Sequence, residues 1–151
     1  MALDEDVRVL SRVSLFEGFT QEQLRLLAFG AEPMRLAARK YVYREGDQAD
    51  SAFLVIEGTV ELIREQEGRR RVVGNAQSGT LLGELALIAD TNRATDAATA
   101  TDARLMRLGR QQFRRILEEF PELAGLLHDR IVEQLQRMVS DIERVGRRFS
   151  N

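Results

Sequence analysis

The stretch Ser78-Gly79-Thr80-Leu81-Leu82-Gly83-Glu84-Leu85-Ala86-Leu87-Ile88, continued by Ala89-Asp90-Thr91-Asn92-Arg93-Ala94-Thr95, carries the most information in this chain. Leu81–Ala89 is too apolar for a surface loop and runs directly into polar residues, which predicts a short helix packed inside its surroundings. Three of its features suit a phosphate. Gly83 lets a backbone approach a ligand closely, the following turn presents N–H groups from a helix N-terminus, and Arg93 supplies a rigid fork of donors. Glu84 would repel a bare anion there, but it suits a ligand that also donates a hydroxyl, such as a ribose 2′-OH. Alone, an arginine and a glutamate at this spacing are commonly a surface ion pair, so their setting decides.

Outward from this stretch, Pro33 to Gly109 consists of short apolar or alternating segments divided by Glu45-Gly46-Asp47, Glu57-Gly58, Glu67-Gly68, Gly74-Asn75 and Ser78-Gly79. Tyr41–Arg44, Ala52–Ile56, Thr59–Arg64, Arg71–Val73 and Ala103–Leu108 are each about strand length. Their even spacing favours a roll or barrel over βαβ units. Before it, Val7–Ala31 has helical periodicity, with Thr20 and Gln23 forming a capping box and a bend at Gly18 set among Leu15, Phe16 and Phe19. After it, Gln111–Phe120 reads as one helix, Pro121 allows a new start, and Glu122–Arg148 reads as a long one. Ile131, Leu135, Met138, Ile142, Val145 and Phe149 alternate in steps of four and three, the seam of a two-stranded coiled coil, flanked by Val132 and Val139. A parallel homodimer through this helix is expected; the alternative is that the face packs on the β-roll of its own chain.

The sequence resembles the cyclic-nucleotide-binding domains shared by regulatory subunits of cAMP-dependent protein kinase, the catabolite activator protein and cyclic-nucleotide-gated channels. Gly83-Glu84-Leu85-Ala86-Leu87 is similar to the start of that family's phosphate-binding cassette, and Arg93 falls where its phosphate-binding arginine stands. Tyr43-Arg44-Glu45-Gly46-Asp47, Phe53-Leu54-Val55-Ile56-Glu57-Gly58-Thr59-Val60 and Phe113-Arg114-Arg115-Ile116-Leu117 carry the likeness further, over roughly residues 12–149. The resemblance implies an α+β fold: an eight-stranded β-roll, jelly-roll-like, with N-terminal helices and a long C-terminal helix that approaches the ligand as a lid. The whole chain is then one domain, with helices over 1–32, the roll over 33–109 containing the cassette at 79–95, and C-terminal helices over 110–149.

By position, the resemblance implies that Glu84 binds the ribose 2′-OH and Arg93 the exocyclic phosphate oxygens. The amides of Gly83, Leu85 and Ala94 add support, and Thr95 completes the set. Ala94 stands where a threonine is associated with cGMP preference in the kinase branch, so the resemblance leans toward cAMP, with cGMP the other candidate. The chain departs from the family pattern at Leu82, often phenylalanine, and at Thr95-Asp96-Ala97. Neither departure removes a ligand group, and alternation along a strand would turn the Asp96 carboxylate outward.

At 151 residues, 44% hydrophobic and 30% charged, the chain has the composition of one ordinary globular domain. Net charge −2 gives no basic surface for nucleic acid, and the cluster Arg144, Arg147, Arg148 reads as complementing a helix dipole. With no cysteine there are no disulfides, thiolate nucleophiles or thiolate metal sites. His128, the only histidine, is expected to be structural, and no metal or cofactor is expected. Asp4, Glu5 and Asp6 stand where a signal peptide needs positive charge, and no run of about 18 apolar residues occurs, so a cytoplasmic protein without a membrane span is expected.

No nucleophile with a positioned base stands out, so an enzyme is not expected. Three functions remain open: a cyclic-nucleotide sensor whose occupancy repositions the C-terminal helix, the sensing half of a catabolite-activator-type transcription regulator, and a ligand-free dimeric scaffold. The second would need a DNA-reading helix-turn-helix beyond Asn151, so this chain itself is not expected to bind nucleic acid. The downstream partner is left open.

Overall fold

The computed structural model describes residues 2–133 and 136. Two compact units divide the chain, Met1–Ile116 and a second that begins at Leu117. The first opens with α1 (Ala2–Leu10), a 3₁₀ turn at Ser14–Phe16 and α2 (Gln21–Gly30). The expected capping box starts α2: Thr20 Oγ1 accepts from Gln23 N at 3.2 Å, and Thr20 N donates to Gln23 Oε1 at 2.8 Å. Leu10, Leu15 and Phe16 are buried, and the Phe16 ring lies 5.2 Å from Phe19 and 6.3 Å from Phe113.

Ten strands follow: β1 (Glu32–Leu36), β2 (Tyr41–Tyr43), β3 (Gln48–Ala49), β4 (Ser51–Glu57), β5 (Val60–Gln66), β6 (Arg69–Ala76), β7 (Leu81–Leu82), β8 (Thr91–Asn92), β9 (Asp96–Thr99) and β10 (Ala103–Gly109). Eight of them make the expected roll as two four-stranded antiparallel sheets, β1-β10-β4-β7 and β2-β9-β5-β6, and β3 and β8 add a two-residue ladder. Between the sheets sits a core of Phe53, Val55, Val60, Ala76, Leu82, Ala97, Ala103 and Leu105. β4 is buried from Ser51 to Ile56 and pairs with β10 on one edge and β7 on the other. Pro33 is tolerated because β1 is an edge strand.

The structure corrects one local expectation. Leu81–Ala89 is not one interior helix: Leu81 and Leu82 pair with Leu54 and Phe53, and only Glu84–Leu87 form a single 3₁₀ turn. In such a turn side chains three apart lie over one another, so Leu85 and Ile88 share an outer face, 43% and 37% exposed, while Ala86 and Leu87 are buried. β9, whose Asp-Ala-Ala-Thr has little intrinsic strand preference, is held extended by pairing with β2 on one side and β5 on the other.

α3 (Arg110–Glu119) buries Phe113 and Ile116. In the second unit a helix runs over residues 121–133, with Leu123, Leu127 and Ile131 buried at four-residue spacing. The rest of the expected coiled-coil seam, Leu135 to Phe149, lies outside the described residues, as do Arg144, Arg147 and Arg148. Among the described residues no helix is long and apolar enough to cross a membrane.

Candidate anion site

Arg93 follows β8 directly, and the Arg44–Asp47 turn holds its main chain: Arg93 N donates to Asp47 O and Gly46 N donates to Arg93 O, both at 2.8 Å. The side chain turns inward and is only 7% exposed. Its guanidinium lies 4.4 Å from the centroid of the Tyr43 ring and 5.4 Å from that of Phe53. Nη2 donates to Ser51 O at 2.8 Å and to Ser51 Oγ at 3.3 Å. Nη1 is buried without a hydrogen-bond partner. It rests against Gly83, where a Cβ would stand 2.3 Å from it; Gly83 also has φ +74°, in the left-handed region. That glycine is therefore required twice, by its backbone and by the arginine laid across it.

Burial holds the Arg93 pKa below its ordinary value, against the opposing fields of Tyr43, Asp50 and Asp47, and the group remains a cation. A buried donor left unpaired costs about 1–3 kcal/mol, more on a charged group, and an anion oxygen at Nη1 would remove that cost. Burial likewise pushes the Tyr43 hydroxyl up, against the Arg93 charge and a hydrogen bond with Thr95. Burial also acts to raise the Asp50 pKa, but hydrogen bonds from Ser51 and Arg107 outweigh it and hold the carboxyl below its usual range.

Of the residues expected from the sequence, Gly83 and Arg93 are in contact, and Thr95 joins them through Tyr43. Glu84 is half-buried at the first position of the 3₁₀ turn; Leu85 is exposed, its carbonyl accepting from Ile88 N and Ala89 N; Ala94 is exposed just beyond Arg93. Ser51, Tyr43 and Phe53 were missed. Tyr41 and Tyr43 stand two apart on one short strand, yet only Tyr43 faces Arg93, while Tyr41 is exposed with the Arg44 guanidinium 4.1 Å over its ring. A register shift between Tyr41 and Tyr43 breaks the two-residue alternation that would have placed them on one face.

Asp96 serves the site's frame. Its Oδ1 accepts from Glu45 N at 2.7 Å, and its carboxylate lies 3.5 Å from Arg44 and 3.7 Å from Arg70. The ion pairs involve well-exposed arginines and contribute little. The bond to Glu45 N secures the turn whose neighbouring groups hold the Arg93 main chain. Asp96→Ala is expected to lower stability by about 1–2 kcal/mol, read as an earlier midpoint in urea with unchanged slope.

Among the described residues no group of three or more histidine, aspartate or glutamate side chains could hold a metal ion. His128 is exposed, 3.6 Å from Asp129.

The sequence profile of the cyclic nucleotide-binding domain matches residues 33–120, more than half the chain, and the chain belongs to that family. The family is one of regulatory binding domains. A cyclic nucleotide-binding-like protein from Brucella abortus is 47% identical, with a TM-score of 0.71 over 76% of this chain and 99% of that one. The regulatory domain of Toxoplasma gondii PKA, crystallised with cAMP, is 26% identical, with a TM-score of 0.72 over 76% of this chain and 44% of that one. Patatin-like phospholipase domain-containing protein 7 of Rattus norvegicus is 28% identical over 76% of this chain, which spans only 9% of that protein's length.

Proposed function

We propose that this chain is a sensory module that binds a cyclic mononucleotide, cAMP before cGMP, and acts by binding rather than by catalysis. The observation that carries the reading is the buried, unpartnered Nη1 of Arg93, laid against the left-handed Gly83. A cyclic phosphate entering there would accept from Nη1, and Glu84, next in the chain, would accept from the ribose 2′-OH. The amides of Gly83, Leu85 and Ala94 and the side chain of Thr95 complete the proposed contacts. The Toxoplasma relative, similar over three quarters of this chain and crystallised with cAMP, supports the choice of ligand. Occupancy would act on the C-terminal helix, pairing two copies in the cytoplasm, with any DNA-reading or catalytic part supplied by another segment or chain.

Calorimetric titration with cAMP and cGMP tests this. Saturable binding with cAMP tighter than cGMP is expected. No heat and no thermal stabilisation with either nucleotide at high concentration would overturn it and leave the roll as a scaffold.

A further inference from the structure

The first residue of α3 reaches back into the frame of the anion site. Arg110 N donates to Asp50 O at 2.9 Å. Its side chain, 12% exposed, makes three further contacts: Nε donates to Ala86 O at 2.8 Å, Nη2 to Ala49 O at 2.5 Å, and Nη1 pairs with the Asp90 carboxylate. Each acceptor belongs to a different part of the site. Ala86 lies in the 3₁₀ turn that begins after Gly83, Asp90 precedes the strand leading to Arg93, and Ala49 is the β3 residue paired with Thr91 of that strand. One guanidinium thus grips the segment 84–92 near both ends, together with the strand beside it.

We propose that Arg110 is the positioning residue that couples the anion site to α3. This rests on reading Gly83–Thr95 as a cyclic-nucleotide site. The planar fork explains the residue type, because three acceptors in different directions suit a guanidinium and not the point charge of a lysine. The Asp90 end is 82% exposed and contributes little; the two carbonyls, which would otherwise lose a buried partner, carry the grip. The 3₁₀ turn therefore cannot shift toward a phosphate without pulling the first turn of α3. Coupling of this kind is reciprocal, so displacing α3 would loosen the site.

Amide hydrogen exchange on the full chain tests this, with Arg110→Met to keep the length and remove the donors, and Arg110→Lys as the conservative variant. In the ligand-free protein, Arg110→Met is expected to speed exchange across residues 85–92 by about tenfold to a hundredfold, with β5–β6 amides unchanged and Arg110→Lys intermediate. With saturating cAMP, protection in the parent is expected to reach residues 114–116; in Arg110→Met it stops at the site. Parent rates across 85–92 in both variants, or full protection of 114–116 in Arg110→Met, would overturn the proposal. Acceleration of the β5–β6 amides by the same factor would also overturn it, as a global loss of stability. A parent that binds no cAMP would sink the ligand reading alone, since the ligand-free comparison still decides the grip.

Discussion

Arg93→Leu is expected to fold with a thermal midpoint close to or above that of the parent, yet to bind cyclic nucleotide about tenfold to a hundredfold more weakly, or worse. The two halves of that result have different origins. Without ligand the guanidinium is buried with Nη1 unpaired, and its contacts with Ser51 and the two rings, together with the fields of Asp50 and Asp47, offset the desolvation only in part. Leucine is shorter and leaves Ser51 O without its donor, but it removes an unsatisfied buried cation, a replacement that is often neutral or stabilising. With ligand the balance reverses, because a charge-assisted bond to phosphate contributes about 1.5–3 kcal/mol that leucine cannot supply. Thermal shift with and without cAMP, beside calorimetry, separates the two. A variant that unfolds early without ligand, or that binds as tightly as the parent, would count against Arg93 as the anion group.

Gly58→Ala should produce the largest loss of stability in the roll, on the order of 2–5 kcal/mol, seen as an earlier denaturant midpoint or failure to accumulate. Gly58 has φ +93°, and a Cβ there would stand 2.4 Å from Asp102 O and 2.8 Å from Ala103 Cα. Both obstacles are backbone and cannot swing aside. The nearest obstacle at Gly83, in contrast, is the end of the Arg93 side chain, with the closest backbone atom, Ser51 O, at 3.5 Å. Gly83→Ala should therefore cost less stability, about 1–3 kcal/mol from the left-handed strain, and cost binding by displacing the arginine. Equal stability losses in the two variants, with binding intact in Gly83→Ala, would contradict this division.

The parts of the fold that the sequence made legible are those set by local chemistry. Thr20 and Gln23 specify a helix start within four residues, and the glycine-bearing turns cut the roll into strands without reference to distant partners. Gly83 and Arg93 were legible as a pair because each has a residue type that the phosphate reading requires. What stayed hidden depends on partners far along the chain. β9 is a strand because β2 and β5 make it one, and Tyr43 faces Arg93 while Tyr41 does not because the ladder shifts between them. Ser51 offered no signal: its part in the site is mainly a backbone carbonyl, which any residue could supply. Of the coiled-coil seam, only Ile131 falls among the described residues, and it is buried.

The pairing of β1 with β10 also governs when the roll can form. Glu32–Leu36 meets Ala103–Arg107 across almost the whole length of the roll, and Tyr41 meets Ala98 in the other sheet. Such pairings close long loops before any contact repays the lost chain entropy, so folding should be slow, in the range of milliseconds to seconds. The β5–β6 hairpin, joined by a tight turn at Glu67-Gly68, is among the described residues the one ladder that needs no distant partner, and it is the natural nucleus. On the ribosome β1 must wait as an unpaired strand until residue 107 has left the exit tunnel. Through that interval its free edge is open to neighbouring chains, and Pro33, which offers them no N–H, is a safeguard for the nascent chain as well as a feature of the finished sheet.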